Sequence, residues 1–166
     1  MKTIQLGFST HKKFALFSWL IKKVLNRQFS HSYFKFQENY SDKTVFHAVG
    51  KGLIYISETT FIEQNTTIKE FDLSISDELF LELMEDCHKN AGKDYGFLQN
   101  LGIAIIRGLA KLGIIINKNP INDGINCSEW LYYILEEIYG KWIDKDPNLV
   151  APDDVFDFLE EKLKSN

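Results

Sequence analysis

The residues best placed to do covalent chemistry are Cys127 and its neighbours. Asn126, Cys127, Ser128 and Glu129 stand directly before a periodic apolar run, Trp130, Leu131, Ile134, Leu135 and Ile138, which stops at Gly140. This spacing predicts a helix with Asn126 as N-cap and with Glu129, three residues on, reaching back to the cap's backbone N–H. Cys127 then occupies the first helical position. There the unpaired N–H groups and the positive end of the helix dipole favour a thiolate, and the same donors can receive an oxyanion when sulfur attacks a carbonyl.

A thiol nucleophile needs a base, and the chain offers four histidines, His11, His31, His47 and His88. Two of them fall in alternating segments. Over 29–36, Phe29, His31 and Tyr33 share one strand face while Ser30, Ser32, Phe34 and Phe36 share the other. Over 44–49, Val45, His47 and Val49 oppose Phe46 and Ala48. If the connecting turn is symmetric about Asn39, His31 lies directly across from His47. One imidazole then meets Cys127 and the other orients it, a nucleophile, base and orienter arrangement that recurs on unrelated folds. Ser30, Gln37 and Glu38 are weaker candidates for the orienter.

Simpler roles exist for the same residues. A cysteine at a helix start is commonly a buried small hydrophobe, and a histidine on an apolar strand face is usually a satisfied core residue. Two histidines on facing positions, however, are costly to bury without a task. His31, His47 and Cys127 lack the close-spaced ligand pairs of a zinc site, so no metal is expected. Cys87 and His88 are adjacent on a helix, point to different sides, and read as structural.

The elements that must position these groups follow from periodicity. Ile4, Leu6 and Phe8 mark a first strand. Phe14, Phe17, Ile21, Val24 and Leu25 fall at helical spacing over 13–25. Further strands are expected over 53–56 and 67–73, and helices over 76–90 and 154–164, the last following Pro152. The apolar stretch 98–116 is interrupted by Asn100, Arg107 and Lys111. It therefore reads as a core helix or helical hairpin, not a membrane span. Strands gathered in the first half with helices around them make an α+β pattern.

At 166 residues the chain suits a single domain over 1–166. Its 45% hydrophobic and 25% charged residues are those of an ordinary globular protein, with 13 Phe and 7 Tyr giving unusual aromatic bulk. The net charge of −4 provides no general footprint for nucleic acid, and Lys12, Lys13, Lys22 and Lys23 read as a solvated face. Two cysteines cannot build a disulfide framework. The short apolar stretch 14–21 runs into Lys22 and Lys23 without a small-residue cleavage site. No signal peptide is expected, which points to the cytoplasm or a virion.

Taken together, Ser30-His31 in one strand, His47 in the next, and Asn126-Cys127-Ser128-Glu129 opening a late helix resemble the circularly permuted papain-like proteins of NlpC type, the YiiX-like group in particular. Gly7-Phe8-Ser9, Tyr95 ahead of a helix and Pro152-Asp153-Asp154 agree with this, so the likeness spans most of the chain. The resemblance implies an antiparallel sheet flanked by helices, with Cys127 as nucleophile, His31 as general base and His47 as the third polar residue. Ser128, Asn126 and Ser30 would serve the oxyanion or secondary positions. The YiiX-like pattern usually has an acidic group where His47 stands. A histidine there is similar to the lecithin:retinol acyltransferase-like proteins, whose cysteine motif also begins Asn-Cys. Both groups pass an acyl group through a thioester, so the implied function is cofactor-free hydrolysis of an amide or ester bond. Its substrate would be a peptide, a peptidoglycan-like peptide or a lipid-linked molecule. The alternatives are an acyltransferase or lipase in peripheral contact with a membrane, and a non-catalytic viral or structural binding protein on the same fold.

Overall fold

The computed structural model describes residues 1–13, 16–37, 42–50, 52–121 and 123–164, with backbone alone at Phe17 and Phe97. Phe14, Glu38 and Asn39 therefore lie outside the described residues. Alternation of large apolar and small or polar residues gives the strands β1 (Lys2–His11), β2 (His31–Phe36), β3 (Thr44–Val49) and β4 (Gly52–Ser57), and β5 (Asn65–Ile75) completes them. Among the described residues they form one five-stranded sheet in the order β4-β3-β2-β1-β5, antiparallel at every junction. The helices are α1 (Leu16–Leu25), α2 (Glu58–Gln64), α3 (Asp77–Asn90), α4 (Phe97–Ala110), α5 (Cys127–Tyr139) and α6 (Pro152–Lys164). The expected α+β class with an antiparallel sheet holds.

Period-two alternation divides the sheet into two unlike faces. Ile4, Leu6, Phe8, Phe34, Phe36, Phe46, Phe71 and Leu73 build the principal core with α3, α5 and α6. The opposite face carries a small cluster of Tyr33, Val45 and Phe61, the last from α2. Beside it Lys35 is buried with its ammonium 2.7 Å from Glu58 and 2.5 Å from Glu70. Burial disfavours the Lys35 charge, but the bonds to Glu58 and Glu70 outweigh it and hold the pKa above its ordinary value. Gly7 faces this side because the Tyr33 ring occupies the space a side chain would need. A Cβ at Gly7 would stand 2.1 Å from Tyr33 Cζ.

The register of one hairpin differs from expectation. The β2–β3 register pairs Phe34 with Phe46 and Phe36 with Thr44, so the hairpin is not symmetric about Asn39 and His31 is not directly across from His47. Of the two readings of 98–116, the single helix holds: α4 is followed by turn and irregular chain. Helix α2 went unpredicted. Its Thr-Thr-Phe-Ile centre suits a strand, yet Ser57 accepts the Thr60 backbone N–H and Glu58 occupies the first turn, which together start a helix. No helix among the described residues is long and apolar enough to cross a membrane.

Candidate active site

Helix α5 begins as its sequence specifies. The Asn126 side-chain oxygen accepts the backbone N–H groups of Ser128 and Glu129 at 2.8 and 2.9 Å. The Glu129 carboxylate, buried and held above its ordinary pKa by that burial, takes hydrogen bonds from Gln99 and from the Asn126 backbone N–H. This reciprocal cap fixes the helix start. It also uses three of the four free amides of the first turn, so the donor left is the Cys127 N–H itself.

Cys127 is buried among the residues of the principal core. Its sulfur lies 3.8 Å from Ser128 Oγ, and Ser128 Oγ lies 3.5 Å from Ser32 Oγ. The start of α5 therefore docks on β2 at Ser32, the residue next to His31.

His31 is half-buried at the first position of β2, and His47 is buried in β3. Their rings meet edge to face, with His31 Nε2 3.1 Å from His47 Nδ1. The pair is possible despite the shifted register because the two residues share a sheet face and long side chains reach diagonally. On the other side His47 packs against Phe61 of α2. Burial drives both imidazoles toward neutrality. His31 is lowered to about 4 by burial and then by nearby His11, and His47 to about 3 by burial and then by His31.

The histidines line a cavity of about 590 Å³ that also takes in His11, Ser18, Ser30, Tyr95 and the apolar side chains Ile21, Val49, Ile54 and Ile56. Ser30 and Ser18 hydroxyls are 2.6 Å apart at its wall. Tyr95 joins the cavity to the cysteine. Its backbone bridges Ile125, two residues before Cys127, and the phenol is pushed up first by burial and then by the proximity of Cys127. Asn100 Nδ2 donates to the Tyr95 oxygen at 3.0 Å, which leaves the phenolic proton free for another acceptor.

Strand and helix packing thus bring His31, His47 and Ser30 to one cavity, and Asn126, Cys127 and Ser128 to the adjoining helix start. Among the described residues no hydrogen bond joins Cys127 to an imidazole. The reason is geometric: α5 packs on the face of Ser32 and Phe34, while His31 and His47 point to the other. Tyr95 and His11 are the cavity residues that sequence reasoning undervalued. Tyr95 carried a signal in its place ahead of a helix, whereas His11 had none beyond its residue type. Cys87 is fully buried and His88 Nδ1 lies 2.7 Å from the Met84 carbonyl, both within α3, as expected of structural residues. Among the described residues no cluster of His, Cys, Asp and Glu could hold a metal ion.

Compared with protein-family models and with curated proteins, the chain matches none.

Proposed function

We propose that the protein is a thiol-dependent hydrolase of permuted papain-like type that cleaves an amide or ester bond through a thioester on Cys127. The observation that carries this reading is the His31–His47 pair at 3.1 Å, set in a cavity whose wall adjoins the capped start of α5. With Nε2 committed to His47, the nitrogen of His31 left for catalysis is Nδ1. If His31 Nε2–H donates to His47, Nδ1 is the bare acceptor, and the low pKa of His31 keeps it unprotonated near neutrality while making it a weaker base than a free imidazole.

In the first half-reaction the Cys127 thiol gives its proton to His31 Nδ1, and the sulfur attacks the substrate carbonyl carbon. The Cys127 N–H and the Tyr95 hydroxyl are the donors available to the oxyanion. His31 returns the proton to the leaving amine or alkoxide as the C–N or C–O bond breaks, leaving the thioester. Water then gives a proton to His31 and attacks the thioester. Collapse expels the thiolate, which His31 reprotonates. For this step the start of α5 must shift relative to the sheet, because the sulfur rests in the core on the face opposite the imidazoles.

A panel of activated esters and amides, followed by intact mass, tests the reading. A covalent acyl adduct that maps to Cys127 and is absent from Cys127→Ala supports it, and a panel that leaves no adduct on Cys127 argues against it.

A second reading has its own observation. Cys127 is 3% exposed and, among the described residues, hydrogen-bonded only within α5. A binding protein that uses the histidine-lined cavity to hold a ligand, with the thiol serving as core, fits that burial. It expects ligand affinity to be unchanged in Cys127→Ala.

A further inference from the structure

The chain as a whole is acidic, yet no Asp or Glu occurs before Glu38, while Lys12, Lys13, Lys22, Lys23 and Arg27 cluster around α1. Arg27 is neutralised by Asp157 of α6. Among the described residues the four lysines have no acidic partner. Lys22 reaches Thr10, and Lys23 lies 5.0 Å over the Trp19 ring.

The same helix turns apolar side chains outward. Leu16, Trp19 and Lys23 follow at helical spacing along one stripe, with Leu16 69% and Trp19 44% exposed, while Ile21 on the other side is buried. Lys111 Nζ donates to the Val24 carbonyl at 2.7 Å, which brings the end of α4 to the last turn of α1. The chain that follows carries Leu112, Ile114 and Ile115, the last 80% exposed. A tryptophan and several aliphatic side chains ringed by unpaired lysines are the composition of an interfacial surface, where the rings enter the headgroup region and the ammonium groups meet anionic lipid.

We infer that the outer face of α1, with residues 112–115, docks the protein on an anionic phospholipid surface. A second copy is a poor occupant, because a symmetric contact would set lysine against lysine. Nucleic acid would engage the lysines but leave Leu16, Leu112 and Ile115 without a role. Ser18 and Ile21, on the inner side of α1, line the histidine cavity, so docking sets that cavity behind α1, one helix width from the lipid headgroups. This inference does not depend on the chemistry of Cys127.

The test is flotation of the full chain with phosphatidylcholine vesicles, with and without phosphatidylglycerol, at low and high salt. The protein is expected to float with the anionic vesicles and not with neutral ones, with a blue shift of tryptophan emission that Trp19→Phe removes. Binding should fall about tenfold in Lys22→Gln/Lys23→Gln and at high salt. It should fall by a similar factor, about tenfold, in Leu16→Ser/Ile115→Ser, two exposed positions where the fold tolerates the change. Failure to float with anionic vesicles overturns the inference. So does flotation indifferent to Leu16 and Ile115, which would mean charge adsorption alone. Self-association that those substitutions abolish, in place of lipid binding, would assign the face to a second copy.

Discussion

His31 and His47 touch at 3.1 Å through Nε2 and Nδ1, although they are two residues away from a direct cross-strand pair. The contact leaves His47 Nε2 buried and without a hydrogen-bond partner among the described residues. A buried polar atom left unpaired carries a desolvation cost, and such a cost is commonly met at sites kept for function.

The pair makes stability pH-dependent, with a definite sign. In the unfolded chain both imidazoles titrate near 6.5, whereas in the fold His31 titrates at about 4 and His47 at about 3. Between those limits the unfolded state binds more protons, so stability is complete above 6.5 and is lost as pH falls toward 4. Thermal unfolding across this range should show a falling Tm toward acid. His47→Phe should flatten that dependence; an unchanged slope would mean that the acid sensitivity resides elsewhere.

Activity, where a substrate is found, should keep its acid limb well below that of an ordinary histidine. A general base lowered to about 4 remains unprotonated through pH 5, so kcat/KM should decline only near that lower value. His31→Ala should cost about 10²–10⁴-fold in kcat/KM.

The cap on α5 should carry measurable stability. Asn126 satisfies two backbone N–H groups, and replacing such a cap by alanine typically costs about 1 kcal/mol, or roughly 2–4 °C in Tm for a chain of this size. Asn126→Asp, which keeps the acceptor, should lose much less. Equal losses in both variants would show that the cap bonds are not what holds this helix start.

The buried lysine on the minor face gives a non-additive case. Glu58→Gln alone leaves Lys35 paired with Glu70 and should cost little, whereas Glu58→Gln/Glu70→Gln leaves a buried unpaired ammonium. Removing all partners of such a charge typically costs about 3–5 kcal/mol. Denaturant unfolding of the two singles and the double decides it, and simple additivity would mean that the Lys35 ammonium escapes to water.

Much of this arrangement can be read from residue order. The alternation in 29–36 and 44–49 puts His31 and His47 on one side of adjacent strands, and Asn126 with Glu129 declares the start of α5. Both statements rest on local geometry. The register did not follow, because a shift of two preserves every inward and outward assignment and the hydrophobic pattern cannot distinguish the two pairings. Helix α2 was hidden by β-branched residues whose preference its cap overrides. The side of the sheet on which α5 docks depends on how Ser32, Phe34 and Phe46 pack against Cys127, Ser128 and Trp130, a long-range choice invisible to periodicity. That choice sets the thiol on the face opposite the imidazoles.

Whether thiol and imidazole act together is therefore the central question, and the pH dependence of iodoacetamide alkylation answers it most directly. The rate would be followed by peptide mapping, so that Cys127 is counted apart from buried Cys87, in the parent and in His31→Ala. If the two act together, Cys127 is alkylated readily near neutral pH in the parent, and His31→Ala abolishes that reactivity. Alkylation of Cys127 that follows an ordinary or buried thiol, identical in both proteins, would contradict their joint action and leave the histidine-lined cavity as a binding site alone.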